Sequence, residues 1–148
     1  MSFNQPFRVF SRALDGFGLQ GNYVYLKSKI DAPFSGHTFT FPGASKNSVS
    51  SSLYYSKHGL DARVAMTYRS DYLSQLPILG LVAFPTYTET LLTLDASVSY
   101  NFTKRLNLTL SMTNITKQDR RDYVYTPSFF LNYYQIPRTV AIALRASL

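Results

Sequence analysis

At 148 residues the chain is long enough for one domain with a substantial core and too short for two domains of ordinary size. Its 15 Lys and Arg against 8 Asp and Glu give a net charge of +7, but the charges are dispersed along the sequence, which argues against a nucleic-acid-binding surface. The absence of Cys excludes disulfides, thiol catalysis and Cys-ligated zinc.

The apolar part of the composition favours β-structure. Apolar residues make up 45% of the chain, with 12 Tyr, 11 Phe and no Trp, and aromatic side chains are enriched in strands. No run approaches the roughly eighteen apolar residues of a transmembrane helix. Residues 1–6 have neither a basic region nor an apolar core, so no signal peptide is predicted. A secreted protein needs a signal peptide at its N-terminus. If the chain is secreted, we therefore expect it to be the C-terminal piece of a longer protein or a truncated reading frame.

The first clear element in chain order is a strand that begins at Phe17. Residues 7–15 are poorly patterned and end at an Asp-Gly pair, which predicts the tail of an earlier element followed by a turn. From Phe17 to Tyr25 apolar and polar residues alternate, as in a strand with one apolar face. Residues 31–44 contain 2 Pro and 2 Gly and are predicted to form a loop.

Residues 48–72 are predicted to form a β-hairpin. Its first arm is rich in Ser, and its turn is Lys57-His58-Gly59, where Gly59 is free to adopt a positive φ. The return arm carries apolar side chains on one face and charges on the other, which suits a wet interior better than a dry core. The polar and charged residues of that arm are Asp61, Arg63, Thr67, Arg69 and Asp71.

Residues 73–90 form the second predicted loop, which is unusually apolar for a solvent-exposed segment. Its apolar residues are Leu76, Ile78, Leu79, Leu81, Val82, Ala83 and Phe84. Such a loop is expected to fold back on a partner surface or to bind an apolar ligand.

The clearest pattern of the chain covers residues 91–117 and predicts a long β-hairpin. On both sides of a short turn at Lys104 and Arg105, even-numbered residues are apolar and odd-numbered residues are polar. Each arm has roughly ten to twelve residues, longer than a usual soluble strand and close to what a tilted strand needs to cross a bilayer. A third loop is predicted over residues 118–132, and a last strand from Tyr133 onward.

Short turns thus alternate with predicted loops of roughly fourteen to eighteen residues, an asymmetry typical of outer-membrane barrels with short periplasmic turns and long extracellular loops. Aromatic residues gather near the predicted strand ends, where they would form interfacial girdles. They are Tyr23 and Tyr25, Tyr54 and Tyr55, Tyr68 and Tyr72, Tyr100 and Phe102, and Tyr133 and Tyr134. The sequence therefore predicts an all-β fold: an antiparallel meander of about six long strands that forms a segment of a transmembrane β-barrel.

A series of short motifs resembles, in the same order, the C-terminal barrel region of TonB-dependent outer-membrane receptors. The segments are LDGFGLQGNYVY at residues 14–25, FPGASKN at 41–47, YYSKHGLDAR at 54–63, YRSDYL at 68–73, LDAS at 94–97, NITK at 114–117, PRT at 137–139 and RASL at 145–148. Each motif is weak alone, but their order and spacing together are fairly specific and cover nearly the whole chain.

The resemblance implies a barrel of about 22 strands, filled by an N-terminal plug and energised from the inner membrane through TonB. Residues 1–148 would supply about the last six strands, without the plug and the TonB-contacting segment. The implied function is uptake of a scarce nutrient such as a siderophore, vitamin or saccharide across the outer membrane, with no enzymatic activity and no cofactor. The family commonly ends in Phe and this chain in Leu148, a departure that bears on recognition by the barrel-assembly machinery.

The same resemblance implies the partners. They are outer-membrane lipid and lipopolysaccharide, the missing plug and barrel strands of the full-length receptor, and TonB through the absent N-terminal region. No nucleic-acid partner is expected.

The candidate functional residues are charges. The lumen-facing candidates are Arg63, Arg69, Asp71, Asp95 and Arg145. In a functional role they would line a permeation path or hold a plug by salt bridges. The alternative is that they only solvate a wet interior and pair across neighbouring strands. Arg120 and Arg121 are the extracellular-loop candidates, which either attract an anionic substrate or lipopolysaccharide phosphate, or are merely solvated.

The remaining motifs do not predict a reactive site. Glycosylation acceptor patterns begin at Asn101, Asn107 and Asn114, but two of the three lie inside predicted strands. His37 and His58 lack clustered carboxylates, so no metal site is predicted. No Ser, His and Asp combination stands out as catalytic.

Two other architectures remain open at the level of sequence. A small self-contained outer-membrane barrel of about eight strands fits the length, and it requires the first strand to pair with the last. A soluble lipid-binding β-barrel would turn the apolar face inward around a ligand and leave the charged face in water.

Overall fold

The computed structural model describes residues 1–31, 36–77 and 84–147. The strands of this part are β1 (Ser2–Pro6), β2 (Phe17–Tyr25), β3 (Ile30–Asp31), β4 (Thr38–Phe39), β5 (Asn47–Lys57), β6 (Leu60–Arg69), β7 (Tyr72–Gln75), β8 (Thr86–Thr88), β9 (Leu91–Thr103), β10 (Leu106–Thr113), β11 (Arg120–Val124), β12 (Phe130–Tyr134) and β13 (Thr139–Ala146). Two single-turn 3-10 helices, Phe7–Val9 and Arg12–Leu14, connect β1 to β2. Across the described ranges, no helix has the length and apolar character needed to span a membrane.

The largest element of the fold is a seven-stranded antiparallel sheet with the strand order β1-β2-β5-β6-β9-β10-β13, here called the large sheet. The predicted all-β antiparallel meander is confirmed. The large sheet has seven strands and not about six, because β1 pairs with β2 from Ser2 opposite Asn22 to Pro6 opposite Gly18. β1 is five residues long and ends in Pro, so its pattern is too short to identify a strand. The large sheet is open, with β1 and β13 at its edges.

The strand register gives the large sheet one apolar face and one polar face, because directly opposed residues project from the same side. Leu110 lies opposite Val98 and Ile142, whereas Ser111 lies opposite Ser97 and Ala141. The apolar face comprises side chains such as Leu19, Leu53, Val64, Met66, Leu94, Val98, Leu108, Leu110, Ile142 and Leu144. The polar face comprises side chains such as Gln20, Ser52, Arg63, Thr67, Asp95, Ser97, Asn107, Ser111 and Arg145.

Tight turns lie at one end of the large sheet, the short-turn rim. Between β5 and β6, His58 has a φ of 53° and Gly59 a φ of 76°, so both central residues take the left-handed conformation of a type I′ hairpin turn. Between β9 and β10, Lys104 and Arg105 form the turn, and the register shifts between Leu106 and Asn107. Both predicted turns are confirmed.

The connections at the opposite end, the long-loop rim, cover residues 26–46, 70–90 and 114–138. The last two are longer than predicted because they contain strands of a second sheet, here called the rim sheet, with the order β12-β11-β8-β7. These strands follow the order of β13, β10, β9 and β6 in the large sheet. The rim sheet therefore extends that part of the large sheet beyond a break in each strand.

The rim sheet corrects three predictions. Residues 73–90 and 118–132 are not simple loops, since they contain most of β7 and all of β8 and β11. Tyr133 belongs to β12, and the last long strand begins at Thr139. Asp71 lies in the break between β6 and β7, so it is not on the strand that carries Arg63 and Arg69. Short strands such as these depend on tertiary pairing more than on local pattern. The apolar run at residues 78–83 and the C-terminal Leu148 fall outside the described residues.

Candidate functional site

The apolar face of the large sheet is uncovered. Val98, Leu110 and Leu144 are 45%, 47% and 68% exposed, although they lie on three neighbouring strands. Among the hydrophobic side chains of the described chain, only Leu73 and Tyr123 are buried, and both belong to the rim sheet. Fully burying a Leu or Ile side chain contributes about 1.5–3 kcal/mol, and these partly exposed side chains forgo part of that free energy. An apolar surface of this extent marks a site of contact with lipid or with another protein.

Aromatic side chains border the apolar face near both rims. Near the short-turn rim the ring centroids of Phe17 and Tyr55 lie 4.6 Å apart, and those of Tyr100 and Phe102 lie 4.9 Å apart. Near the long-loop rim the Tyr23 hydroxyl donates a hydrogen bond to Asn47 Oδ1 over 2.8 Å. The 9 residues of β2 span roughly 26 Å at about 3.3 Å per residue. A strand tilt of about 40° reduces that span to roughly 20 Å, close to the apolar band of an outer-membrane barrel.

Other predicted girdle residues lie elsewhere. Tyr54 is on the polar face opposite Arg63, and Tyr72, Tyr133 and Tyr134 are in the rim sheet.

Four of the five lumen-facing candidates share the polar face but do not form one cluster. Arg63 lies opposite Ser97 in the middle of the sheet, and Arg145 lies opposite Asn107 on the edge strand. Asp95 is opposite Ala65 and accepts a hydrogen bond from the backbone N–H of Asn114 over 2.8 Å. In the described ranges no ion pair joins any of these side chains.

Arg69 lies at the end of β6 and is held by the neighbouring loop. Its Nε donates to Ser45 Oγ over 2.7 Å, and its Nη2 donates to the carbonyl of Gly43. Its guanidinium carbon lies 4.0 Å from the ring centroid of Tyr72, a cation–π distance. Arg69 therefore fastens the loop before β5 to the start of the rim sheet.

The polar face carries a hydrogen-bonded network on the hairpin of β9 and β10. Asn107 Nδ2 donates to Ser99 Oγ over 2.7 Å and to Asn101 Oδ1 over 2.8 Å. Thr109 Oγ1 lies 3.0 Å from Ser99 Oγ and 3.0 Å from Asn107 Oδ1. These contacts satisfy the polar groups within the sheet, so they fix the shape of this part of the polar face.

A groove of about 350 Å³ crosses β1, β2, β5 and β6. Most of its lining side chains belong to the polar face, among them Asn4, Gln20, Ser52, Arg63 and Thr67. Ser52 is only 3% exposed, and its Oγ has no hydrogen-bond partner within the described residues. The groove therefore offers hydroxyl and amide groups together with one guanidinium.

The two extracellular-loop candidates begin β11 and behave differently. Arg120 Nε donates to Asp122 Oδ1 over 3.1 Å, and the same oxygen accepts from Thr88 Oγ1 over 2.8 Å. Asp122 and Thr88 are buried, so Arg120 is committed to a structural cluster. Arg121 is exposed, with its guanidinium carbon 5.6 Å from the Tyr133 ring centroid.

A pair of tyrosines on the rim sheet stays neutral well above physiological pH. The rings of Tyr87 and Tyr123 stack with centroids 5.5 Å apart at 17°. Burial raises the pKa of both phenols, and the charge of Asp71 raises it further. Both hydroxyls therefore remain protonated and able to donate hydrogen bonds.

Asn114 organises the junction between β10 and the rim sheet. Its Nδ2 donates to the carbonyls of Gln118 over 3.0 Å and Ile136 over 2.8 Å, and its Oδ1 accepts from Gln118 N over 2.8 Å. The nitrogen that would carry a glycan is thus buried and occupied, which argues against glycosylation at this acceptor pattern.

In comparisons with known proteins, the chain matches no family model, no curated protein and no solved structure. Within the described ranges, no three His, Cys, Asp or Glu side chains converge as a metal site would require. The two sheet faces and the rim residues therefore supply the functional evidence.

Sequence reasoning did not identify the structural roles of Thr88, Asp122 and Asn114 at the long-loop rim, or of Ser52 in the groove. The sequence did contain one signal for the cluster of Thr88, Arg120 and Asp122. Arg120 and Asp122 are two positions apart, so they would share a face if this segment were a strand. Asn114 and Ser52 gave no comparable signal, since their roles depend on partners distant in sequence.

Proposed function

We propose that the chain is a segment of an outer-membrane β-barrel, with its apolar face toward lipid and its polar face toward a water-filled lumen. One observation carries this proposal: the large sheet leaves its apolar face uncovered while Arg63, Asp95 and Arg145 occupy the other face. A water-soluble domain of this size gains most of its stability by burying such a face. Lipid removes that requirement, because the hydrocarbon itself solvates the apolar side chains.

The open edges favour a larger barrel over a small self-contained one. The large sheet ends at β1 and β13, whereas a closed barrel needs its first and last strands paired. Unpaired backbone groups do not occur in contact with hydrocarbon. We infer that β1 and β13 pair with strands outside residues 1–148.

Within that class, the C-terminal barrel region of a TonB-dependent receptor is the specific proposal. The ordered motifs of the sequence support it, as does the alternation of tight turns such as His58-Gly59 with long connections such as residues 114–138. The function would be uptake of a scarce nutrient, with the substrate contacting the polar face and the long-loop rim. The genomic sequence before Met1 tests it: an in-frame plug and further amphipathic hairpins are expected, and their absence contradicts the assignment.

The placement of the two faces can be tested by single-cysteine labelling, because the chain contains no Cys. Val98→Cys places a bimane fluorophore on the apolar face, and Ser97→Cys places it one residue away on the polar face. Detergent micelles shield an apolar face without requiring a closed barrel. We expect brominated detergent to quench the label at residue 98 and aqueous iodide to quench the label at residue 97.

Lys104→Cys in the short turn serves as the water-exposed control. Strong iodide quenching at both residues 97 and 98, in a chain that is monomeric without detergent, would overturn the membrane proposal. Protection of residue 98 in that detergent-free monomer would instead indicate the soluble lipid carrier.

A further inference from the structure

A cavity of about 470 Å³ lies at the long-loop rim, where the chain leaves β2 and returns to β5. Three lysines line it, and we call it the lysine pocket after Lys27, Lys29 and Lys46. Tyr25 and Phe39 provide apolar wall, and the remaining lining side chains are Leu26, Ser28, Thr38, Thr40 and Ala44.

Backbone hydrogen bonds build the lysine pocket. Leu26 N donates to the Lys46 carbonyl over 2.9 Å, which joins the two arms that flank the cavity. Phe41 N donates to Ser28 Oγ over 3.0 Å, and β3 pairs with β4 through Ile30 and Phe39. The cavity is therefore part of the fold of this connection.

In the part of the chain that the structure describes, no ion pair neutralises the charge of the lysine pocket. No carboxylate lines the cavity, and none of the three ammonium groups forms an ion pair within residues 1–31, 36–77 and 84–147. The neighbouring acid, Asp31, accepts a hydrogen bond from Thr38 Oγ1 over 2.9 Å and is not part of the lining. Three exposed lysines thus line a concave space together with the hydroxyls of Ser28 and Thr40, a combination that attracts an anion.

We propose that the lysine pocket binds a phosphate group. Lysine ammonium groups are mobile point charges that suit phosphate oxygens, and Ser28 and Thr40 add hydroxyl donors. Tyr25 belongs to the aromatic border of the apolar face, which is the level of lipid headgroups in a membrane barrel. Phosphate binding depends only on the pocket, whereas a lipid headgroup as its source rests on the proposed function.

The test measures binding calorimetrically, with the whole chain in maltoside micelles. Inorganic pyrophosphate is the soluble probe, phosphatidic acid is the lipid probe, and diacylglycerol is the lipid control without phosphate. Lys27→Gln/Lys29→Gln/Lys46→Gln removes the pocket's charge. Lys104→Gln/Arg105→Gln/Lys117→Gln removes the same net charge elsewhere on the surface.

Each lysine near an anionic headgroup contributes about a factor of five in affinity. We therefore expect the pocket variant to bind the probe roughly a hundredfold more weakly than the unchanged chain. The affinity of the matched variant should stay within about twofold of the unchanged chain. Binding of phosphatidic acid but not pyrophosphate supports a lipid source, and the reverse supports a soluble phosphate. Equal losses in both variants, or no binding of either probe, overturn the proposal. A failure of the micelle quenching experiment with pyrophosphate binding intact refutes the membrane placement alone.

Discussion

Individual buried polar residues fix how the rim sheet joins the large sheet. Asn114 links the end of β10 to the carbonyls of Gln118 and Ile136, and Asp122 gathers Thr88 and Arg120 within the rim sheet. A buried polar group that loses its partner keeps its full desolvation cost. These side chains therefore control the shape of the long-loop rim more than the exposed charges do.

Replacing Asn114 is expected to loosen this junction. Asn114→Ala removes two donated and two accepted hydrogen bonds, and it places an Ala at a φ of 53°. We expect the free energy of unfolding to fall by about 2–4 kcal/mol, since each unsatisfied buried group costs about 1–3 kcal/mol. Asn114→Gly removes the same bonds but tolerates the positive φ, so it should be about 1 kcal/mol less damaging. Urea unfolding followed by circular dichroism measures both, and an unchanged Ala variant would contradict the role of the side chain.

The carboxylate of Asp119 gives the same junction a dependence on pH. The Tyr133 hydroxyl donates to its Oδ2, and Ile136 N donates to its Oδ1 over 3.1 Å. The hydrogen bond from Tyr133, followed by that from Ile136, lowers the pKa of Asp119. Stabilisation from a lowered pKa is complete above the unfolded value of about 3.9 and disappears as the pH falls through the folded value.

We therefore expect the amide of Ile136 to exchange faster as the pH falls below about 4, after correction for the intrinsic exchange rate. Hydrogen exchange followed by NMR measures this directly. Asp119→Asn cannot titrate, and its corrected protection should stay flat through the same range. A similar acid-induced loss in Asp119→Asn would assign the effect to another group.

At the scale of elements, strict alternation predicted the long strands and both turns, because a sheet with one apolar face requires period two. β9 and β10 were predictable for this reason, and so was the turn at Gly59. β1, β7, β8 and β12 were not, since strands of three to five residues hold too few alternations to define a face. Their positions follow from pairing with strands distant in sequence, as when Thr88 lies opposite both Tyr72 and Asp122.

The candidate site divides in the same way. The polar face at Arg63, Asp95 and Arg145 follows from the period, so it could be assigned before the structure. Asp71 could not, because a break in the strand after Arg69 moves it to the rim sheet. The lysine pocket also could not be predicted from the sequence. Lys46 is distant in sequence from Lys27 and Lys29 and comes near them only when β5 pairs with β2.

The hairpin of β5 and β6 depends on the left-handed conformation of its turn. Gly59→Val introduces a β-branched residue at a φ of 76° and a Cβ about 3.3 Å from the carbonyl oxygen of Asn101. We expect the free energy of unfolding to fall by at least about 1–2 kcal/mol. His58→Asn, which favours the same turn type, should be neutral or slightly stabilising. Both are measured by the urea midpoint, and equal effects would mean that backbone conformation does not limit this turn.

At the scale of the whole molecule, no second layer among residues 1–31, 36–77 and 84–147 buries the apolar face of the large sheet. Soluble sheets of this kind pack against another sheet or against helices, whereas here Leu110, Ile142 and Leu144 remain exposed and the rim sheet extends the strands at one end. The chain is therefore expected to require an apolar solvent on one side and further strands at both edges.

That expectation is tested by one charge placed on either side of the same strand. Leu110→Lys puts an ammonium group on the apolar face midway along β10, where lipid contact would cost about 2–4 kcal/mol. Ser111→Lys puts the same charge on the polar face, at a residue without side-chain hydrogen bonds in the described structure, and should cost less than about 0.5 kcal/mol. The urea midpoint of the chain folded into micelles gives both values. Equal effects would show that the two faces meet the same solvent, which a barrel wall excludes, while a penalty confined to Leu110→Lys would show that this face alone meets the apolar phase.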